Sequence, residues 1–272
     1  MGQIISLKYD FSFKYLFLNE TVWRHFISDV LRIPLEDIRS VRLANTFLWK
    51  RYRKQKQGIL DVVVELNDDS KVNIELQAEV LSCWDRRGLF YLSMLFTEGL
   101  LSGQKYGKLK RCISILGFDL DKRPEYHKVY RLRDETGQEF SDMLEVHVIE
   151  LNKPLSGTGV MDEWIRLFNA ETTEELDMLE ARTGNKGILE AVKEVRGMSL
   201  RRTLRALYEA RQKEIRDRSA REDYVRSEGQ REGEDRLNRL NASLIADRRF
   251  EDLEKAIQDK GYREQLYKQY GL

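Results

Sequence analysis

Apolar and polar positions divide the chain into an amino-terminal helical unit, a central group of strands and a long helical remainder. Residues 10–32 repeat apolar side chains at helical spacing and predict two short helices, with Asn19 ending the first and capping the second. Pro34 closes this unit. Runs rich in Val, Ile and Leu then predict strands at 38–49, 59–66, 71–80 and 111–121 and a hairpin at 126–151.

One more helix interrupts the strands, and helical patterns follow them. Residues 83–103 repeat apolar side chains at helical spacing, which predicts a helix with one buried face. Residues 152–159 combine Gly, Ser and Pro and read as a linker. The element order predicts an α/β fold with an α-β-β-β-α-β core, a mixed sheet flanked by helices, in residues 1–155. A helical carboxyl-terminal region follows in residues 156–272.

The carboxyl-terminal region contains a highly charged helix at about residues 200–236. Residues 211–236 hold 16 charged positions of 26, eight basic and eight acidic, and several acids precede a base by four residues. Because the charges cancel, we interpret this helix as solvated, with a weakly dimerising helix as the alternative. Gly229 and Gly233 each weaken a helix by about 1 kcal/mol relative to Ala and predict a hinge or partial disorder.

Net charge and cysteine content exclude several classes of protein. The 47 Lys and Arg residues against 46 Asp and Glu leave a net charge of +1, so any nucleic-acid binding must use a local basic patch. Cys83 and Cys112 have no CxxC spacing and no nearby His cluster, which argues against a disulfide framework or zinc site and favours the reducing cytoplasm. No stretch approaches the ~18 apolar residues of a membrane span.

The strands at 59–66 and 71–80 carry carboxylates within runs that otherwise predict burial. Side chains alternate between the faces of a strand, and the apolar sets of both strands must face the core, so the register is specified. A loop of three or five residues brings Asp61 onto the face of Glu75 and Gln77, directly opposite one of them at ~4.5–5.5 Å between Cβ atoms. A loop of four residues would separate the carboxylates. We expect Glu65, Asn73 and Glu79 to be exposed scaffold residues on the same face.

Two carboxylates side by side repel unless a cation lies between them. Mg²⁺ prefers oxygen ligands and completes its shell with water and substrate phosphate, and Mn²⁺ or Ca²⁺ are alternatives. The backbone carbonyl of Leu76 offers a further ligand beside Asp61 and Glu75. Such a metal activates water and neutralises charge on a phosphate oxygen, so this interpretation predicts phosphodiester hydrolysis. The alternative is an ordinary half-exposed hairpin without metal.

This hairpin resembles a nuclease signature. "GILD" followed by 13 residues and then "ELQ" is similar to the D-x(n)-(E/D)-x-K pattern of the PD-(D/E)XK nuclease superfamily. Further segments in order resemble the Rpn family of recombination-promoting nucleases, also described as PD-(D/E)XK nuclease family transposases. They are "DFSFKYLF" at 10–17, the helix with Arg86, Arg87 and Tyr91, "GQKYGKLKRCISILGFDL", and the charged "EGQREGED".

The resemblance implies a restriction-endonuclease-like core and divalent-metal-dependent DNA cleavage linked to recombination, mobile elements or defence. It implies Asp61 and Glu75 as metal ligands and places Gln77 where the superfamily usually has lysine. Glutamine hydrogen-bonds but carries no charge, so we hypothesise Lys14 as a substitute cation. Asp10 is either a further carboxylate at the metal or a helix N-cap.

Basic residues near the hairpin predict where DNA would bind. The segment "KRYRKQK" at 50–56 precedes the strand that bears Asp61 and could contact DNA phosphates. The alternative is a solvated basic loop without a role in binding. The candidate phosphate contacts are Lys50, Arg51, Arg53, Lys54, Lys56, Arg86 and Arg87.

The leading interpretation is a cytoplasmic metal-dependent DNA endonuclease. Its carboxyl-terminal helices are candidates for forming a homodimer. Gln77 and the near-zero net charge sustain a rival, a catalytically weak or inactive nuclease-like module that binds DNA or a protein partner. A third interpretation is a structural domain whose carboxyl-terminal helices mediate assembly.

Overall fold

The computed structural model describes residues 2–38, 47–48, 58–59, 62–66, 70–80, 83–97 and 110–272. The helices there are α1 (Asp10–Leu16), α2 (Glu20–Leu31), α3 (Trp84–Thr97), α4 (Val160–Asn169), α5 (Thr173–Arg182), α6 (Lys186–Leu200), α7 (Arg202–Ala246), α8 (Phe250–Gln258) and α9 (Lys260–Tyr270), with a 3-10 turn at Leu35–Asp37. The strands are β1 (Phe47–Leu48), β2 (Gly58–Ile59), β3 (Val62–Glu65), β4 (Lys71–Gln77), β5 (Lys110–Leu116), β6 (His127–Arg133) and β7 (Glu139–Glu150).

A mixed sheet organises the first half of the protein and confirms the predicted α/β class. Within the described residues its five strands follow the order β3-β4-β5-β7-β6, and β1 pairs with β2 separately. β4, β5 and β7 run parallel, whereas β3 and β6 are antiparallel to their neighbours. In this register Gln77, Leu116 and Glu150 lie side by side, so the three parallel strands end at one edge.

The amino-terminal pair of helices forms as predicted. The Asn19 side chain accepts hydrogen bonds from the backbone of Thr21 and Val22 and caps α2. Behind the cap, Phe26 makes edge-to-face contacts with Trp164 at 5.2 Å and with Phe17 at 5.4 Å between ring centroids. Such aromatic pairs contribute ~0.5–1.5 kcal/mol each beyond their buried area. The contact with Trp164 joins α2 to α4, and the contact with Phe17 joins α2 to the end of α1.

Helix α3 covers one face of the sheet. Val63 of β3 packs against Met94 and Leu95, while Trp84 packs against Leu116 and Val148 of the neighbouring strands. This coverage explains why the strands read as nearly continuous apolar runs, because a parallel sheet is buried on both faces.

The chain divides into two compact units, Met1–Arg205 and Ala206–Leu272. Residue 155, the predicted boundary, lies within the first unit, which includes α4, α5 and α6. In the second unit, α7 passes through Gly229 and Gly233 as one continuous helix, so the predicted hinge is wrong.

The end of the chain forms two short helices. Asp259 caps α9 by accepting from the backbone of Tyr262, which separates α9 from α8. Their apolar faces close a small core with α7, made of Leu240, Leu244, Ala256, Leu266 and Tyr267. None of the helices in the described ranges is long and apolar enough to cross a membrane.

Candidate active site

The β3–β4 hairpin has the register that the carboxylate hypothesis requires. Val62 pairs with Ile74, and the backbone N–H of Leu66 donates to the carbonyl of Ser70 at 2.8 Å, which leaves three residues in the loop. The prediction of an odd-length loop is therefore confirmed. Residues of like parity in the two strands share a face, as the apolar pattern demanded.

Part of the predicted site lies outside the described residues. β3 begins at Val62, directly after Asp61, and the structure does not describe Asp61 itself. The same holds for the predicted phosphate contacts Lys50, Arg51, Arg53, Lys54 and Lys56.

Glu75 is buried near the middle of the sheet. Its side chain is on the face that α3 covers, and the residue is only 5% exposed. Ser114, its register partner in β5, donates from Oγ to Oε1 of Glu75 at 2.9 Å. The hydroxyl fixes the direction of the carboxylate from the neighbouring strand, and hydrogen bonds to a charged group are worth ~1.5–3 kcal/mol.

A buried polar row extends from this carboxylate along β4 and β5. The Asn73 amide donates to Sγ of Cys112 at 3.7 Å, and Sγ lies 3.6 Å from Oγ of Ser114. Asn73 is 2% exposed, so the expectation that it is an exposed scaffold residue is wrong, because α3 covers this face. Glu79, beyond the end of β4, is exposed as expected.

Gln77 is held at both ends of its amide. Nε2 donates to the backbone carbonyl of Glu79 at 2.8 Å, and Oε1 accepts from a terminal guanidinium nitrogen of Arg87 at 2.5 Å. The Nε of Arg87 is buried and has no hydrogen-bond partner among the described residues. Arg86, the preceding residue on α3, is exposed.

The first turn of α3 passes directly over the Glu75 carboxylate. A Cβ placed on Gly88 would lie 4.0 Å from Oε1 of Glu75, an ordinary contact distance. Because Gly88 follows Arg87, the residue that contacts Gln77 and the residue above Glu75 are neighbours in the helix. The structure therefore brings together Glu75, Gln77 and Arg87.

The backbone at the end of β4 is tightly constrained. The N–H of Gly117 donates to the Gln77 carbonyl at 2.9 Å, so the Gln77 carbonyl points toward β5. Because carbonyls alternate along a strand, the Leu76 carbonyl points to the β3 side. A Cβ on Gly117 would lie only 2.5 Å from the Ala78 carbonyl oxygen, so this crossing requires glycine.

Asp10 and Lys14 contact each other on α1, with 2.8 Å between the carboxylate oxygen and Nζ. Tyr9 is the N-cap residue of α1 and makes no side-chain cap, and Asp10 is the first helical residue. The N-cap interpretation of Asp10 is therefore wrong. α1 packs against α6 in the helical part of the unit.

The donor set at the hairpin fits a hard divalent cation. Glu75 offers carboxylate oxygen, and Leu76 offers a carbonyl on the β3 side, both of which suit Mg²⁺. Within the described ranges, which omit Asp61, no three His, Cys, Asp or Glu residues converge as a metal cluster.

Sequence reasoning missed the roles of Ser114 and the pairing of Arg87 with Gln77. The signal for Ser114 is its polar side chain at a position two residues from Cys112 in an otherwise apolar run. Its parity with Glu75 follows only from the parallel register of β4 and β5.

Comparisons with known proteins agree with this geometry. A family model described as PD-(D/E)XK nuclease family transposase matches residues 7–224 of the 272. The curated proteins and the solved structures gave no match. The matched range includes the carboxylate hairpin, α3, the whole sheet and the helices that pack against it. On this evidence the chain belongs to the PD-(D/E)XK nuclease family transposases.

Proposed function

We propose that this protein is a divalent-metal-dependent DNA endonuclease that hydrolyses phosphodiester bonds. The observation that carries the proposal is the buried Glu75 carboxylate, which Ser114 orients in a hairpin whose register begins at the pair Val62 and Ile74. Burying a carboxylate is costly unless hydrogen bonds and a positive charge compensate it. A metal held between Asp61 and Glu75 would add a positive charge beside this carboxylate.

Mg²⁺ is the proposed ion, with Mn²⁺ or Ca²⁺ as alternative occupants. Asp61, Glu75 and the Leu76 carbonyl would hold it, and Asp10 remains a proposal for a further carboxylate. When bound, the metal would lower the pKa of a coordinated water and stabilise negative charge on the phosphate. Ser114 holds the Glu75 carboxylate, which is shielded from solvent beneath α3.

DNA is the proposed substrate because the family is one of nucleases. Exposed Arg86 on α3 lies next to the site and is suited to a backbone phosphate. The basic segment at 50–56 is proposed to contact phosphates beside the scissile bond. The proposed settings are recombination, mobile elements or defence.

Two further proposals concern location and assembly. The free cysteines Cys83 and Cys112 are consistent with a reducing cytoplasm. A homodimer through the carboxyl-terminal helices is supported by the exposed apolar side chains of Tyr224 and Val225 on α7. Two subunits would help to explain cleavage of both strands of a duplex.

A second candidate is a nuclease-like module that binds DNA or a protein without cutting. The observation that favours it is Gln77, a neutral side chain at the position of the superfamily lysine. Its prediction is salt-dependent DNA binding that needs no divalent ion.

A plasmid-nicking assay with Mg²⁺, Mn²⁺ or EDTA tests the proposal. We expect wild-type cleavage that EDTA abolishes, and we expect Asp61→Ala and Glu75→Gln to lose more than the ~10- to 100-fold typical of residues that only orient ligands. Glu139→Gln, at an exposed carboxylate of β7, is the matched control and should cleave normally. Equal cleavage by wild type and Glu75→Gln would contradict the site, and DNA binding without metal-dependent cleavage would favour the second candidate.

A further inference from the structure

We propose that Arg87 is a catalytic residue that contacts the scissile phosphate and supplies the positive charge that Gln77 lacks. The inference rests on the proposed endonuclease function and assigns a residue of α3 to its site. Hydrolysis of a phosphodiester builds negative charge on the phosphate oxygens, and preorganised donors aimed at that charge are among the largest contributions to catalysis. A neutral amide alone provides weaker stabilisation than a charged donor.

The position of Arg87 relative to the carboxylate supports this role. Gln77 follows Glu75 by two residues on the same face of β4, which separates their Cα atoms by ~6.6 Å. Arg87 donates to the Gln77 amide oxygen at 2.5 Å, so its guanidinium lies at the level of β4 where the superfamily signature has lysine. Gly88, the next residue, lies over Oε1 of Glu75.

The hydrogen bonds of Arg87 leave donors for a substrate. Guanidinium has five N–H donors in a planar fork and stays charged at all relevant pH values. One terminal nitrogen donates to Gln77, and the buried Nε has no partner among the described residues. A buried donor without a hydrogen-bond partner has a free-energy cost, which a bound phosphate oxygen would remove.

Gln77 acts in this arrangement as a positioning residue. Because Nε2 of Gln77 donates to the Glu79 carbonyl, its Oε1 is turned toward α3 and accepts from Arg87. The amide therefore fixes the guanidinium, and glutamine at this position is compatible with cutting. The hypothesis that Lys14 is a substitute cation is a separate proposal, and the Lys14 ammonium contacts Asp10 on α1.

An exchange of the charge between helix and strand tests the inference. We would compare Arg87→Gln, Gln77→Lys, the double variant Arg87→Gln/Gln77→Lys, and the conservative Arg87→Lys in the Mn²⁺- and Mg²⁺-dependent nicking assay. Removing one preorganised donor typically costs ~100- to 1000-fold in kcat, and we expect that loss for Arg87→Gln with Mn²⁺ affinity retained. The double variant should recover at least tenfold over Arg87→Gln, because a lysine on β4 restores the charge.

Arg133→Gln, at an exposed arginine of β6, is the matched control and should keep wild-type cleavage. Thermal unfolding and Mn²⁺ titration calorimetry accompany each variant. If Arg87→Gln does not fold, Arg87→Lys and the double variant carry the comparison, since both keep a cation at the site.

The possible outcomes separate this inference from the proposed function. Cleavage that depends on Glu75 but is unaffected in folded Arg87→Gln would overturn the role of Arg87 alone. The same holds if the double variant folds, binds Mn²⁺ and stays as slow as Arg87→Gln. Cleavage that does not require Glu75 would overturn the proposed function, and the assignment of Arg87 with it.

Discussion

Glu75 and Glu145 lie on opposite faces of the sheet, and their carboxylates are held by different kinds of hydrogen-bond donor. Strand β5 contributes to each face, with Ser114 toward α3 and Arg111 toward the opposite side. On the α3 face a neutral hydroxyl orients Glu75. On the opposite face Glu145 accepts from Arg111 at 2.7 Å and from Arg131 at 2.6 Å.

On the opposite face Glu145 forms an ion-pair network with Arg111 and Arg131. Burial raises the pKa of Glu145, but hydrogen bonds from Arg111 and Arg131 outweigh it and lower the pKa to about 2. On the same face, Nε2 of His127 lies 3.1 Å from Nδ1 of His147. Burial lowers the pKa of both rings, for His127 to about 4 with help from the charge of His147 and Arg32.

The comparison teaches how a sheet can separate stability from chemistry. Two guanidinium groups neutralise the charge of Glu145, which suits a structural role. The Ser114 hydroxyl fixes the direction of the Glu75 carboxylate, as groups that orient metal ligands do. Alternation along β5 lets one strand serve both purposes.

The largest effect that tests this contrast is expected from Ser114→Ala. Loss of a group that orients a metal ligand typically costs ~10- to 100-fold in affinity or activity, so we expect weaker Mn²⁺ binding by calorimetry and slower nicking. Ser141→Ala, at a serine of β7, serves as the control. Unchanged Mn²⁺ affinity in Ser114→Ala would show that the hydroxyl does not position Glu75.

The pH dependence of stability tests the opposite face. His127 has an ordinary pKa of 6.5 and a folded-state pKa of about 4, so the unfolded state binds more protons between these values. This contribution to the free energy of unfolding is fully present above pH 6.5 and is lost as the pH falls toward 4. We expect urea unfolding to show a marked loss of stability from pH ~7 to ~5.

His127→Gln should reduce that loss, because glutamine does not titrate. His147 continues to titrate in the variant, so some slope remains. An identical pH slope in wild type and His127→Gln would contradict the lowered pKa of this ring.

The smallest effect is expected from Arg131→Gln. Its side chain is 39% exposed, and exposed ion pairs contribute only ~0.2–1 kcal/mol. Urea unfolding should report a loss within that range, and nicking should be unchanged. A loss of cleavage in a folded Arg131→Gln would mean that the two faces are coupled.

The sequence was sufficient for features that depend on local periodicity. Strand alternation gave the β3–β4 register, because a slip of one residue would expose Val62 and Ile74. Asn19 was identified as a cap because its side chain satisfies backbone donors of the adjacent turn.

Features that depend on the path of the chain in space were not predictable. Asn73 is buried because α3 lies over it. Arg87 contacts Gln77 from a different element, and the alternation of side chains along β4 does not predict that contact. Gly229 and Gly233 do not break α7, because a cost of ~1 kcal/mol at each is small within 45 helical residues. The burial of Asn73 and the contact between Arg87 and Gln77 both depend on tertiary structure.

Gly117 carries a consequence for how mutational data on this family should be interpreted. The glycine has no reactive group, yet any side chain there would collide with the backbone of Ala78 and displace the strand end that carries Gln77. A saturation screen that selects for cleavage would therefore rank Gly117 beside Glu75. Intolerance to substitution at Gly117 would then result from the close approach of two backbone segments. In such a screen it could not be distinguished from the loss of a catalytic group.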